Sequence, residues 1–343
     1  MAGAREIYYA EYRNLEQSGG VGFRQNCGRG ADRPMRKLAL LVALPLAACA
    51  ADLRLGIVGT DTSHVIEFTR ILNDNSSPEH VPGARVVAAF KGGSQTLPDS
   101  YKRVDKFAEQ LRTRWNVEFV SDIASLCAKV DGVMIESVDG RQHLDQVKQA
   151  VSCGKPIWID KPLASSLEDA REIERVAKGR VPWFSASALR YGKDVEALKF
   201  ADTTGAITWG AGPLGKDQLD LSYYAIHVVE LLYSILGTGC EEVTRTHTGD
   251  TDIIVGKWRG GKTGEVRAVR PDIDYGAMIF RKGGKIAISP KIDDSYRPLV
   301  EEIVKFFETR QPPVPNEESL EVMEFMHAAQ RSLAQGGMPV RIH

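Results

Sequence analysis

The stretch Leu55-Gly-Ile-Val-Gly-Thr-Asp-Thr-Ser-His-Val65 decides the reading of this chain. An apolar run enters a tight turn at Gly59, and the apolar spacing of Val65–Leu72 ("VIEFTRIL") then has the 3.6-residue period of a helix. A strand–turn–helix of this kind opens a dinucleotide-binding unit, whose G-x-G-x-x-G turn carries three glycines. Here only the first is present. Asp61 stands at the second glycine position and His64 at the third.

Downstream of this turn the same alternation repeats. Apolar segments 84–90 ("ARVVAAF"), 117–120 ("VEFV"), 131–137 ("DGVMIES") and 156–160 ("PIWID") read as strands. Between them lie segments with helical character around 101–115, at 122–130 and at 143–155. The last of these ends at Gly154, which suits a left-handed C-cap. A further helix at 166–179 has Ser166 as its N-cap. Strands alternating with helices predict a parallel, doubly wound sheet, a Rossmann-like domain over 53–185.

After Ala186 the pattern changes. "LSYYAIHVVELLYSILG" (221–237) reads as one long apolar helix. "TDIIVGKW", "GEVRAVR", "YGAMIF" and "KIAIS" read as antiparallel strands divided by Gly-rich turns, and two amphipathic helices close the chain. Residues 186–343 are therefore expected to form an α+β substrate domain on an open, mainly antiparallel sheet. Its uncovered face is a surface on which a second copy would pack.

Composition narrows the partners. With 343 residues, 43% hydrophobic and 26% charged, the chain is an ordinary globular protein, large enough for two domains. A net charge of -1, without a basic stripe, argues against nucleic acid. The five cysteines show neither a disulfide framework nor zinc-ligand spacing; Cys127, Cys153 and Cys240 read as small buried residues.

Residues 1–52 form a leader. From Met35 the chain reads "MRKLALLVALPLAACAAD": a basic start, an apolar run too short to span a membrane, then small residues. This is a secretory signal, with synthesis expected to begin at Met35. Leu46-Ala47-Ala48-Cys49 resembles a lipobox with Cys49 as the lipidated residue; a plain signal-peptidase site is the alternative. Both place the mature protein outside the cytoplasm, in the periplasm or anchored to a membrane; a cytoplasmic location is the alternative.

Asp160-Lys161-Pro162 brings a resemblance into view. It is similar to the Glu-Lys-Pro that ends the fifth Rossmann strand in the Gfo/Idh/MocA oxidoreductases, the family of glucose-fructose oxidoreductase and inositol dehydrogenase. Four further segments resemble that family in the same order: "DGVMIESVDGRQHLDQVKQAVSCGKP" with His143 in its loop, "SALRY" (187–191), "YAIHVVELLYSILG" with His227, and the C-terminal helix. The resemblance implies hydride transfer between a nicotinamide and a hydroxyl-bearing carbon of a sugar, cyclitol or related polyol. It implies that Lys161 positions the substrate and that His227 is the base. The family's aspartate, four residues before that histidine, is replaced by Tyr223, which one helical turn earlier would offer a hydroxyl instead.

The cofactor residues expected on this reading are Gly59, Thr60, Thr62, Ser63, His64, Lys91, Ser94, His143 and Lys161. Glycine at 59 permits the bend, the hydroxyls and the helix N-terminus suit phosphate, and His143 is expected to border the nucleotide. Asp61 opposes this: two unit charges ~4 Å apart repel by ~1 to 4 kcal/mol unless its carboxylate turns away to cap the helix. The second strand ends in "FKGGS" with no acid for a ribose hydroxyl; Lys91 and Ser94 there favour NADP over NAD. A non-redox, exported sugar-binding protein on the same scaffold is the competing reading, favoured by Asp61, by the missing aspartate and by the scarcity of free nicotinamide cofactor outside the cytoplasm.

Overall fold

The computed structural model describes residues 51–216 and 218–342. The leader, Met35 and the proposed lipid attachment at Cys49 lie outside these residues.

The first half builds β1 (Leu53–Val58), α1 (His64–Asn73), β2 (Ala84–Phe90), α2 (Pro98–Tyr101), α3 (Val104–Trp115), β3 (Glu118–Val120), α4 (Ile123–Cys127), β4 (Gly132–Ile135), α5 (His143–Ala150), β5 (Ile157–Ile159), α6 (Leu167–Ala177) and β6 (Trp183–Ser185). The six strands pair in parallel in the order β3-β2-β1-β4-β5-β6. The order reverses between β1 and β4, which opens a ligand crevice beyond the carboxyl ends of the strands. Local signals placed these elements well. The Ser166 hydroxyl accepts from the amide of Asp169 at the start of α6, and Gly154 closes the turn after α5 at φ 65°.

The second half comprises β7 (Thr203–Ala211), α7 (Ile226–Leu236), β8 (Cys240–His247), β9 (Thr251–Trp258), β10 (Thr263–Val269), β11 (Gly276–Arg281), β12 (Lys285–Ser289), α8 (Arg297–Thr309), α9 (Asn316–Ala334) and β13 (Val340–Arg341). Its sheet runs β12-β11-β7-β10-β9-β8-β13 and is mixed: β7 and β10 pair in parallel, the other neighbours antiparallel. Alternation along these strands gives two faces. Ala206, Thr208, Val266 and Ala268 are buried on the side where α7 lies, whereas Ile207, Trp209, Met278 and Phe280 are only partly covered on the other, and Ile286 and Ile288 are more than half exposed.

Three features differ from expectation. The helix α7 starts at Ile226 rather than near Leu221; Asp220–Ser222 is a separate 3-10 turn. Helix α8, expected to belong with residues 186–343, packs its Leu299, Val300, Ile303 and Phe306 into the core formed by Leu55, Ile57, Val65 and Phe68 of the first sheet. A side chain at Gly132 of β4 would collide with the ring of Phe307.

The third is a disulfide between Cys127 and Cys153, residues expected to be unpaired. It joins the end of α4 to the turn after α5, a proximity set by helix packing rather than by spacing. The pair closes a loop of 26 residues, for which chain-entropy reasoning gives ~3 kcal/mol. Replacing both cysteines by alanine is expected to lower the urea midpoint accordingly. An unchanged midpoint, with two extra thiols titratable in the oxidised protein, would contradict the pairing. Cys240 is buried and free, as expected.

Candidate active site at the strand ends

Gly59 leaves β1 at φ 87°, a conformation that only glycine adopts cheaply. A Cβ there would stand 2.1 Å from the Ser137 hydroxyl, so the turn also lies directly against the loop after β4. Thr60 is fully buried. Its amide and hydroxyl both donate to the Lys91 carbonyl, at 2.9 and 3.1 Å, so its side chain stitches β1 to β2 rather than facing the crevice. Thr62 is also buried, and its hydroxyl has no partner among the described residues. Ser63 is exposed and makes no side-chain cap to α1.

Asp61 does not cap α1 either. It turns inward and is fully buried, accepting from the Val138 amide at 2.9 Å and from the Ser100 hydroxyl of α2. Burial pushes its carboxyl above the usual range, with the Ser100 and Val138 hydrogen bonds pulling the other way. The same Ser100 oxygen accepts from the Ser94 amide. The carboxylate is thus held by donors from the loop after β4 and from α2, outside the turn itself.

The remaining expected cofactor residues fare differently. Lys91 pairs with Asp105 of α3. Ser94 is buried, its hydroxyl 3.3 Å from that of Thr96. His143 is fully buried, with Nδ1 3.2 Å from the Leu163 carbonyl and Nε2 2.8 Å from the Ser137 carbonyl. It clamps the loops after β4 and β5 together and does not border the crevice.

At the end of β5, Asp160 is buried and takes His64 Nδ1 at 2.6 Å on one oxygen and the Lys161 amide at 2.7 Å on the other. Burial raises the Asp160 carboxyl, but His64 and Lys161 outweigh it and hold it below its ordinary value. The Lys161 ammonium forms no hydrogen bond among the described residues. Burial lowers its value, and Asp160 and Glu230 resist.

His227, in the first turn of α7, shares Nδ1 with the Ser187 hydroxyl at 2.7 Å. Burial drives its value well below 6.5, helped by the positive charge of Lys161 and by the neighbouring His64, so the ring is neutral at pH 7. Glu230, three residues on, accepts from the Ser187 amide at 3.0 Å and pairs with the buried Arg190. Burial pushes Glu230 up to about 7 against the pull of Arg190.

Tyr223 lies before α7, and its hydroxyl donates to Asp99 of α2 at 2.7 Å. It does not substitute for the absent aspartate. The hydrogen-bond partner of His227 is Ser187, with Glu230 behind it, and the rings of Tyr224 and Tyr275 lie against the imidazole at 6.3 and 5.8 Å. Sequence reasoning missed Ser187 and Glu230, along with Asp160 as the partner of His64. The one local signal for Glu230 was an acid on an otherwise apolar helix face.

Glu136, just after β4, is the other residue missed. It is fully buried, and neither carboxyl oxygen has a partner among the described residues. Burial, with Asp160 and Asp61 nearby, pushes its value well above 4.5. A buried polar group without a hydrogen bond costs ~1–3 kcal/mol, so Glu136→Met is expected to stabilise the fold by about that amount. A raised carboxyl loses stability as pH climbs past its unfolded value. The advantage of Glu136→Met should therefore be larger at pH 8 than at pH 4, as read by urea melts. Equal midpoints at pH 8 would show that Glu136 is satisfied.

A nicotinamide dinucleotide fits this turn in part. The uncapped start of α1 and the unpartnered Thr62 hydroxyl supply donors for phosphate. Asp61 is the residue that opposes it.

Comparison with known proteins accords with this geometry. Residues 54–182 match the family described as "Oxidoreductase family, NAD-binding Rossmann fold", the Gfo/Idh/MocA family. Among solved structures, the chain is similar to myo-inositol 2-dehydrogenase from Lactobacillus plantarum, with 14% identity, TM-score 0.68, and 85% of this chain and 100% of that one covered. It is likewise similar to myo-inositol dehydrogenase from Lactobacillus casei in complex with NAD(H) and myo-inositol, with 17% identity, TM-score 0.65, and 85% and 97% covered. The scyllo-inositol dehydrogenase of Lactobacillus casei, with bound NAD(H) and scyllo-inositol, has 15% identity, TM-score 0.65, and 85% and 99% coverage. At these identities the structures establish the fold, which extends beyond the matched segment through the second sheet. The family match covers the first-sheet segment, and it is this segment that is similar to the NAD-binding oxidoreductases of the Gfo/Idh/MocA family.

Proposed function

We propose that the protein moves hydride between a nicotinamide nucleotide and a hydroxyl-bearing carbon of a cyclitol, sugar or related polyol. The observation that carries this reading is Lys161: a half-buried ammonium at the crevice end of β5, without a hydrogen-bond partner among the described residues, whose charge is felt by His227. The bound nicotinamide supplies the hydride acceptor. The chain's own residues hold the substrate: Lys161 donates to the reacting oxygen, and His227 approaches it from α7. Both act in a low-dielectric site, where such contacts are strong.

We infer NAD rather than NADP as the nucleotide. The preference for NADP rested on Lys91 and Ser94. Asp105 takes up the Lys91 charge, and Ser94 is turned inward.

The mature protein is proposed to be exported, with Cys49 as a possible point of lipid attachment. The Cys127–Cys153 disulfide supports an oxidising compartment. The half-covered face with Ile207, Trp209, Met278, Ile286 and Ile288 supports pairing with a second copy through the second sheet.

The test is to denature the purified protein and identify released nucleotide by mass, and to titrate the native protein with NADH and NADPH by tryptophan quenching. Released NAD, or saturable micromolar NADH binding, supports the reading, and a polyol screen follows. No nucleotide and no binding up to millimolar would leave the sugar-binding alternative, for which the buried Asp61–Ser100 contact in the turn is the structural argument.

A further inference from the structure

Two histidines stand near Lys161, and their Nδ1 atoms meet different partners, a carboxylate at His64 and a hydroxyl at His227. Asp160 is bonded to His64 Nδ1 at 2.6 Å and, being a carboxylate, can only accept. The His64 proton is therefore on Nδ1, which leaves Nε2 with a lone pair and no partner among the described residues. His227 has the reverse arrangement. The Ser187 hydroxyl oxygen already accepts from the Leu189 amide at 3.2 Å. The acceptor within reach of its own proton is Nδ1 of His227, at 2.7 Å. With that hydroxyl as the donor, the His227 proton is on Nε2, and the ring offers a donor where a base was expected.

We propose, building on the oxidoreductase reading above, that the base of this site is His64, held by Asp160, and that His227, held by Ser187, is a hydrogen-bond donor to the same substrate oxygen. In the oxidation, the substrate O–H bond breaks and its proton passes to Nε2 of His64. The carbon's hydrogen leaves as hydride to the nicotinamide, and the C–O single bond becomes a carbonyl. Asp160 stabilises the imidazolium that forms. Nε2–H of His227 and the Lys161 ammonium then hold the carbonyl oxygen. Asp160 and Ser187 act through the rings and are positioning residues.

The arrangement also explains the residue at 64. A glycine there would let the helix approach the turn more closely. A histidine gives that up, and its ring is fixed on three sides, by Asp160 at Nδ1 and by the rings of Phe68 and Tyr296 at centroid distances of 5.2 and 5.0 Å. His64 side-chain exposure is 12%, so the ring is neither sealed in the core nor free in solvent.

The experiment is a long-range proton–nitrogen correlation spectrum of the full chain labelled with 15N-histidine, at pH 8. Spectra of His64→Gln and His227→Gln assign the two rings among the seven histidines. The expected result is the Nδ1–H tautomer for His64 and the Nε2–H tautomer for His227. Ser187→Ala should turn His227 into a mixture of tautomers while His64 stays as it was. His64 protonated on Nε2, or His227 on Nδ1, overturns the assignment. The spectrum needs neither nucleotide nor substrate, so its outcome is separate from that of the nucleotide titration. With a polyol from the screen, His64→Gln should lower kcat by about 100-fold or more, the range for loss of a general base. His227→Gln should act mainly on KM. An unchanged kcat in His64→Gln overturns the role of His64 even where the tautomers agree.

Discussion

Lys161→Met is expected to lower kcat/KM for polyol oxidation by about 100- to 1,000-fold, the range seen when one preorganised donor to a developing negative oxygen is removed. The residue is suited to this effect for a specific reason. Its backbone amide is tied to Asp160, while its ammonium remains unbonded among the described residues, between the charges of Asp160 and Glu230. Methionine preserves the length and the burial of the chain and removes only the charge and the donors. NADH affinity should stay within a few-fold of the wild type, and the melting temperature should not fall, because a half-buried cation is removed without orphaning an ion-paired partner. Lys161→Arg should not restore activity, since the planar guanidinium cannot stand in for a compact ammonium. Steady-state kinetics with parallel tryptophan quenching separates these terms. A kcat/KM within threefold of the wild type would remove Lys161 from the chemistry.

Asp61→Gly should tighten NADH binding by about tenfold or more. The expectation follows from the ~1 to 4 kcal/mol of repulsion between a carboxylate and a phosphate at close range, and from the backbone approach that glycine allows. The free protein should become less stable by about 2 kcal/mol, because the Val138 amide and the Ser100 hydroxyl lose their acceptor. The wild type should also show a pH signature. Burial already raises the Asp61 carboxyl, and an approaching phosphate raises it further, so binding takes up a proton. NADH affinity should therefore rise as pH falls from 8 to 5, and Asp61→Asn should flatten that slope. If neither variant binds NADH more tightly, Asp61 is not the obstacle.

The elements legible from sequence were those governed by local rules. The period of the parallel strands, the Ser166 cap and the left-handed Gly154 were all readable because each depends on neighbours in the chain. What failed depended on distance. β7 carries Gly205 and Gly210 and pairs in parallel with β10, a partner sixty residues away, and nothing in its own pattern announced it. The apolar run from Leu221 looked helical, but Tyr223 is drawn off by Asp99, 124 residues distant, and the helix begins later. The site divides in the same way. Lys161 and His227 were found through resemblance, since a lone lysine or histidine carries no signal. Ser187, Asp160 and Glu230 act through contacts across 40 to 96 residues. Glu136 had a weak local trace, an acid inside an apolar run.

The return of α8 to the first sheet bears on how this protein can be cut and recombined. The nucleotide-binding half looks like a cassette, since all six of its strands come from one continuous stretch ending at Ser185. Yet the wall behind β1 and β4 is furnished by residues 297–309, with Phe307 lying where only a glycine at 132 leaves space. A gene fragment ending near residue 185 would leave that wall bare. Any chimera that exchanges the second half for another specificity must keep residues 297–309 with the first sheet.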